Sequence, residues 1–142
     1  MNLISKLVAA GSLLAMGFSF TTLASDQQSM SRLNDVADYM RWEKDLSCRD
    51  KASGRRLSEG ESYRYSTTLY EGNTYYIFAA GDYDVKDLDI ILYDENGNKI
   101  DEDKQTDALP IVEVRPRWSG EFVVKVHMYQ GYGYSNFAIC YR

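Results

Sequence analysis

The sequence predicts a mainly β protein: an antiparallel β-sandwich of seven or eight strands, with one short α-helix near the N-terminus. After residue 61 no segment keeps helical periodicity, and β-branched and aromatic residues come in short runs separated by turn residues. The runs cover about residues 62–70, 74–80, 88–93, 98–102, 110–115, 121–128 and 135–141. Short antiparallel strands at this spacing stack as two facing sheets.

Alternation inside the runs supports the sandwich. Tyr75, Ile77 and Ala79 fall on one face of their strand, and a second series does the same in a later run. That second series is Phe122, Val124, Val126 and Met128. One apolar face per strand is what a sheet with one buried side requires.

Residues 1–24 have the pattern of a secretory signal peptide. Lys6 precedes a mostly apolar run over residues 7–20, and small side chains follow at the usual cleavage positions. A membrane anchor is the alternative, but the run is shorter than the roughly 18 apolar residues expected of a spanning helix. We therefore expect a periplasmic or secreted protein with no membrane span in the mature chain.

Charge and length limit the remaining choices. The 142 residues leave one domain of ordinary size after the leader, and the formal net charge is −5 at pH 7. An acidic surface opposes binding to phosphate backbones, so nucleic acid is not an expected partner.

The two cysteines, Cys48 and Cys140, are expected to pair. In an oxidising compartment an even pair favours a disulfide over a metal site or a catalytic thiol. The bond would tether the N-terminal segment to the last strand.

The segment over residues 25–48 is predicted to hold an amphipathic helix, between about residues 29 and 46. Apolar side chains recur there at helical spacing, with Ser29 or Ser31 as the N-cap, and Trp42 and Leu46 extending the apolar face. The recurring positions are Met30, Leu33, Val36, Ala37 and Met40.

Residues 49–61 are polar, contain two glycines and are predicted to be an exposed connector before the sandwich over residues 62–142. A basic cluster lies in the connector: Arg49, Lys51, Arg55 and Arg56. It is either a solvated loop or a patch for an anionic partner.

The acidic stretch over residues 87–103 is predicted to be a β-hairpin. Leu88, Ile90 and Leu92 share one strand face, and Asn96-Gly97 tolerates positive φ at both central turn positions. An EF-hand fails, because with Asp94 in the first position Lys99 takes the place of the obligatory glycine.

A different calcium site stays open, because Ca²⁺ needs only several oxygen ligands from segments that meet in space. The candidate ligands are Asp82, Asp84, Asp87 and Asp89, with Asp101, Asp103 and Asp107 as further candidates. The alternative is that these carboxylates are solvated at strand ends and turns.

The order of signals from residue 69 onward resembles the bacterial pre-peptidase C-terminal domain, a secreted sandwich often appended to proteases. The matching segments are residues 69–75, 87–94 with Asn96-Gly97, 110–114 and 119–126, before a last apolar strand. The resemblance implies a non-catalytic, jelly-roll-like module that assists secretion or substrate engagement and in some members binds calcium or an extracellular polymer. No peptidase domain precedes the sandwich in this sequence, so we expect a stand-alone module.

Catalysis is not expected. The sequence has one histidine, His127, placed as a solvent-facing strand residue, and it contains neither G-x-S-x-G nor S-x-x-K. A zinc site lacks the required ligands. Carboxylate pairs keep a small hydrolase as a weaker alternative, with His127 or the Asp87 and Asp89 pair in its mechanism.

The best candidate for a binding surface is the segment over residues 128–137, MYQGYGYSNF. Tyr129, Tyr132 and Tyr134 alternate with glycines, which predicts a flexible loop tipped with amphipathic rings that suit a protein or a glycan. The alternative is a hairpin whose tyrosines fold back on the sheet edge. Trp118, before Ser119-Gly120, is expected to anchor a turn.

The sequence thus favours an exported, non-enzymatic binding module with a protein or glycan ligand, and with calcium as the one cofactor to consider. A structural or stress-related envelope protein without a ligand pocket is the first alternative.

Overall fold

A computed structural model of the chain describes residues 24–49 and 54–142, so the predicted signal peptide lies outside the described residues apart from its last position. One helix and nine strands follow in chain order. They are α1 Asp26–Lys44, β1 Ser47–Arg49, β2 Arg55–Leu57, β3 Ser62–Leu69, β4 Tyr75–Gly81, β5 Val85–Tyr93, β6 Lys99–Asp103, β7 Ile111–Val114, β8 Gly120–Gly131 and β9 Gly133–Tyr141.

The strands form two antiparallel sheets. One has the order β1-β9-β4-β7, with β2 also paired to β9, and the other has the order β3-β8-β5-β6. Their facing sides enclose a core that includes the alternating residues of β4, β5 and β8. Each large side chain buried this way contributes roughly 1.5–3 kcal/mol. The predicted mainly β sandwich with a short N-terminal helix is therefore confirmed.

Two strands were not predicted. β1 and β2 have three residues each and lie in or beside the segment that the sequence analysis treated as a connector. Both pair with β9: Cys48 is opposite Cys140, and Leu57 is opposite Gly133. Three residues are too few to show alternation, so only the partner strand makes them strands.

The five-stranded sheet is covered on its second face by α1. Leu33, Val36, Ala37 and Met40 of the helix form a second apolar cluster with outward-facing side chains of β4 and β9, among them Phe78. A strand buried on both faces has no need for alternation. For this reason β4 reads as a nearly continuous apolar run, YYIFAAG.

The helix begins and ends differently from the prediction. Ser25 is the N-cap and accepts a hydrogen bond from the Gln28 amide, at 3.2 Å. Ser29 is instead buried and its hydroxyl donates to the Ala80 carbonyl oxygen, at 2.7 Å. Leu46 joins the apolar cluster as expected, whereas the Trp42 side chain is 82% exposed, so the predicted extension through Trp42 is wrong.

The predicted disulfide between Cys48 and Cys140 is present. It joins β1, directly after the helix, to β9 across a separation of 92 residues. Among the described residues there is no free cysteine and no helix long and apolar enough to cross a membrane.

We predict that replacing both cysteines, Cys48→Ser with Cys140→Ser, lowers the free energy of unfolding by about 4 kcal/mol. Opening a loop of this length returns entropy to the unfolded chain. Urea unfolding followed by fluorescence measures the change, and the unaltered protein in dithiothreitol is the control. A loss below about 1 kcal/mol in both samples would contradict the prediction.

Candidate functional site

Tyr129, Tyr132 and Tyr134 lie at the turn between β8 and β9; together they are called the tyrosine hairpin below. β8 ends at Gly131 and β9 begins at Gly133, so Tyr132 alone separates the two strands. The expected flexible loop over residues 128–137 is therefore corrected to two long strands. The Tyr129 and Tyr132 side chains are 63% and 54% exposed, so they do not fold back on the sheet, and Tyr134 is half-buried.

Asp82 holds the hairpin in place. Its buried carboxylate accepts the backbone N–H of Tyr134 at 2.8 Å and that of Asp84 at 3.0 Å. The Asp82 amide in turn donates to the Tyr134 carbonyl oxygen, at 3.0 Å. A side chain at Gly133 would collide with the Asp82 carboxylate, and the φ of +144° at Gly133 also favours glycine.

A second carboxylate holds the other side of the turn. Glu59 accepts the backbone N–H of Gly131 at 3.1 Å. Gly131 has a φ of +93°, in the region where glycine carries no steric penalty. Because both strand ends are held by hydrogen bonds, Tyr132 has little conformational freedom. Binding of a partner would therefore cost little conformational entropy at this residue.

Another exposed tyrosine lies beside the hairpin. The Tyr83 ring is 59% exposed, its backbone N–H donates to Gln28 Oε1 at 2.7 Å, and the Arg32 guanidinium lies 5.5 Å from the ring centroid. Tyr83 is not among the site residues predicted from the sequence, although the surrounding Gly81-Asp82-Tyr83-Asp84 is a turn signal and turns lie on the surface.

A polar pocket of about 210 Å³ opens next to the hairpin. Its lining combines tyrosine with both signs of charge, from Arg56, Asp84 and Tyr132 among others. Aromatic area surrounded by charged and polar groups is the usual composition of a protein-binding surface.

The four primary calcium candidates do not converge. Asp82 and Asp84 lie at the hairpin, and Asp82 is engaged by backbone N–H groups, whereas Asp87 and Asp89 lie along β5. Within residues 24–49 and 54–142 no group of three or more His, Cys, Asp or Glu side chains is arranged to hold a metal ion. Calcium binding stays a prediction.

The further acidic candidates have backbone partners. Asp101 accepts the Glu113 amide, Asp103 accepts the Ile111 amide and Asp107 accepts the Leu109 amide. Two of these bonds link β6 to β7 and so close one edge of the sandwich. Asp94 likewise accepts the amides of Asn96 and Asn98, so the predicted hairpin has a longer turn in which Gly97 has positive φ and Asn96 does not.

Asp87 and Asp89 form a buried pair on the outward face of β5. Each side chain is only 4% exposed, and the Oδ1 atom of each has no hydrogen-bond partner. Burial, and after it the charge of Asp87, raises the pKa of Asp89 to about 6. Burial also raises the pKa of Asp87. Asp89 therefore keeps a proton up to about pH 6.

His127 lies beside this pair, opposite Asp89 on one strand and Ser62 on the other. Its Nδ1 is 2.7 Å from the Ser62 hydroxyl oxygen, and burial followed by Lys125 lowers the pKa of the imidazole. No hydrogen bond joins His127 to Asp89 in the described structure. Ser62, His127 and Asp89 therefore lack the hydrogen bond between histidine and carboxylate that orients the catalytic base in nucleophilic hydrolases.

The basic cluster does not form one patch. Arg55 lies 5.6 Å from the Tyr63 ring centroid, Arg49 donates to the Thr68 carbonyl oxygen, and Arg56 lines the hairpin pocket. Lys51 lies outside the described residues. The three described arginines thus lie in different surroundings and do not form one shared site for an anionic partner.

We predict that Asp82→Ala loosens the tyrosine hairpin and lowers the free energy of unfolding by about 2 kcal/mol, because two backbone N–H groups lose their buried acceptor. Hydrogen exchange at Asp84 and Tyr134 is expected to accelerate more than exchange in β4. Asp38→Ala on the exposed face of α1 is the control, and equal exchange at the hairpin in both variants would contradict the assignment.

We predict that Asp89→Asn reduces the dependence of stability on pH. The folded state holds a proton on Asp89 up to about pH 6, above the ordinary value of 3.8, so this group makes the unfolding free energy fall as pH rises through that window. Relative to the unaltered protein, Asp89→Asn should gain on the order of 1 kcal/mol between pH 4 and pH 7.5.

Urea unfolding at four pH values measures this difference, with the exposed Asp35→Asn as the control. An unchanged difference across the series, or a gain at the acidic end, would show that Asp89 ionises freely in the folded state.

Comparison with known proteins places the chain by fold. No model of a protein family matches the sequence, and no curated protein matches it. Among solved structures it is similar to that of Aeromonas hydrophila PliG, a periplasmic lysozyme inhibitor of g-type lysozyme. The likeness covers 70% of this chain and 90% of PliG, with a TM-score of 0.52 and 11% identical residues. The chain thus shares its fold with an inhibitor that binds a protein.

Proposed function

We propose that this chain is an exported, non-catalytic binding module that recognises a protein through the tyrosine hairpin and Tyr83. The observation that carries the proposal is the exposure of Tyr129 and Tyr132 on a turn whose backbone N–H groups donate hydrogen bonds to the buried Asp82 carboxylate and the exposed Glu59 carboxylate. Exposed aromatic rings that lie together on a well-ordered turn are typical of a surface that binds a partner.

The chemistry of the surface suits a protein partner. Tyrosine offers a large apolar area and a hydroxyl at a low cost in side-chain entropy, and tyrosines are common among residues that dominate binding energy. Arg56 and Asp84 supply polar contacts beside the rings. The pocket of about 210 Å³ has room for one inserted side chain of the partner.

The class of partner is inferred from the shared fold. PliG inhibits a lysozyme, and we propose a secreted hydrolase, with g-type lysozyme as the first to test, for this chain as well. Tyrosine rings also stack on sugars. A glycan is therefore the competing ligand that the experiment must separate from a protein.

Compartment and family support the same proposal. Disulfides persist in oxidising compartments, so the bond between Cys48 and Cys140 agrees with export to the periplasm or the outside. Two antiparallel sheets with these strands also fit the proposed kinship with the pre-peptidase C-terminal domain. The hairpin is held by hydrogen bonds to Asp82 and Glu59, and assistance by calcium stays a prediction.

We predict that Tyr129→Ala with Tyr132→Ala weakens binding to immobilised g-type lysozyme at least tenfold, since both rings would lose contact area at the centre of the interface. Biolayer interferometry measures the affinity, and inhibition of lysozyme is read in parallel. Trp42→Ala is the control, because it removes an even more exposed aromatic ring from α1.

Binding of peptidoglycan fragments but not of lysozyme would make the ligand a glycan. If the tyrosine variant and the Trp42 variant bind lysozyme equally well, the hairpin is not the interface. A protein that binds neither ligand would favour the structural envelope role.

A further inference from the structure

A second surface lies at the opposite end of the sandwich from the tyrosine hairpin. An apolar groove of about 260 Å³ opens where β6 begins, β7 ends and the chain enters β8. Its walls are Ile100, Val114, Pro116, Trp118 and Phe122. The volume is slightly below the roughly 300–1,000 Å³ of most small-molecule sites. It therefore suits one large side chain.

Trp118 gives the groove a preformed wall. The indole N–H donates to Glu95 Oε2 at 3.2 Å, and the ring stacks on Phe122 with 6.0 Å between centroids. The Trp118 side chain is nevertheless 39% exposed. An aromatic ring that is fixed by its neighbours and still open on one face can receive a ligand with little rearrangement.

Two arginines line the same groove. Arg115 and Arg117 flank the buried Pro116 in sequence, and both are exposed. Within the described structure neither guanidinium has a hydrogen bond or an ion pair. The nearby carboxylate of Glu95 is engaged by Trp118, and that of Glu113 accepts the Tyr76 hydroxyl.

The arginine pair differs in sign from the protein as a whole, whose net charge is −5. Two unpaired guanidinium groups beside an apolar groove complement a ligand that is both apolar and anionic, because arginine binds carboxylates through paired N–H donors. An anionic lipid surface would face a large part of the acidic protein, whereas a short segment would meet only the groove and its two arginines. The arrangement therefore favours a protein segment over a membrane.

We propose that this groove binds a short acidic segment of a partner protein. One apolar side chain of the segment fills the space against Trp118 and Phe122, and flanking carboxylates pair with Arg115 and Arg117. The groove and the tyrosine hairpin lie at opposite ends of β8, whose 12 residues span about 35 Å. The two surfaces can therefore be occupied together, and the proposal does not rest on the function assigned to the hairpin.

The test uses tryptophan fluorescence of the Trp42→Phe protein, in which Trp118 is the one remaining tryptophan of the two. The probe is the synthetic peptide acetyl-DEFDE-amide. We expect a saturable change in Trp118 emission, with an affinity at least tenfold higher than for acetyl-KKFKK-amide or acetyl-DEADE-amide. The interaction should weaken as salt increases.

Two variants locate the binding. Arg115→Glu with Arg117→Glu should reduce the affinity for the acidic peptide at least tenfold. Arg115→Gln with Arg117→Gln should also reduce it, and this variant removes the positive charges without introducing negative ones. Tyr132→Ala should leave the affinity for the peptide within twofold of the starting value. This variant separates the groove from the hairpin, since it weakens only lysozyme binding.

Three results would overturn the proposal. The first is equal affinity for the three peptides, and the second is binding by the arginine variants as tight as that of the starting protein. The third is occupation of the groove, dependent on the arginine pair, by phosphatidylglycerol vesicles or by a second copy of the chain in sedimentation, without binding of the acidic peptide.

Discussion

The structure depends on β9 being buried on both faces and paired along both edges. On one side the strand pairs with β4, and on the other with the short β1 and β2. Its apolar residues pack either between the sheets or under α1, and its Cys140 carries the disulfide. The strand β9 thus fixes the positions of α1, of the short strands β1 and β2, and of the second sheet.

A small polar network positions the helix on this strand. The Asn136 amide of β9 donates to Asp26 at 2.8 Å and to the Ser29 hydroxyl at 2.9 Å, and Ser29 donates to Ala80 of β4. Apolar packing alone permits a helix to slide along a sheet, whereas these buried hydrogen bonds are satisfied in one register only. The same register brings Gln28 and Arg32 to Tyr83, so the helix also supports the proposed binding surface.

Most aspartates of the acidic stretches act as acceptors for backbone N–H groups. Asp82 serves the tyrosine hairpin, Asp94 serves the turn after β5, and Asp101 and Asp103 join β6 to β7. These hydrogen bonds account for the positions of most carboxylates in the acidic stretches. The pair of Asp87 and Asp89 differs, because burial leaves one oxygen of each without a donor and raises the pKa of Asp89 to about 6.

The sequence by itself determined the features that follow from the regular spacing of apolar residues or from the number of cysteines. Alternation in β5 and β8 predicts the two-sheet core, helical spacing predicts the buried face of α1, and two cysteines leave one possible pairing within the chain. These signals hold because each strand or helix buries the face that its own period defines.

Tertiary structure alone decided the rest. Three-residue strands exist because β9 offers them a partner, and Ser29 is buried because α1 lies on β4. The rigidity of the tyrosine hairpin comes from Asp82, which is distant in sequence, and the groove beside Trp118 joins β6 to residues of the β7–β8 connection. In each case the deciding contact joins residues far apart in the chain, so the spacing of residues along the sequence does not predict it.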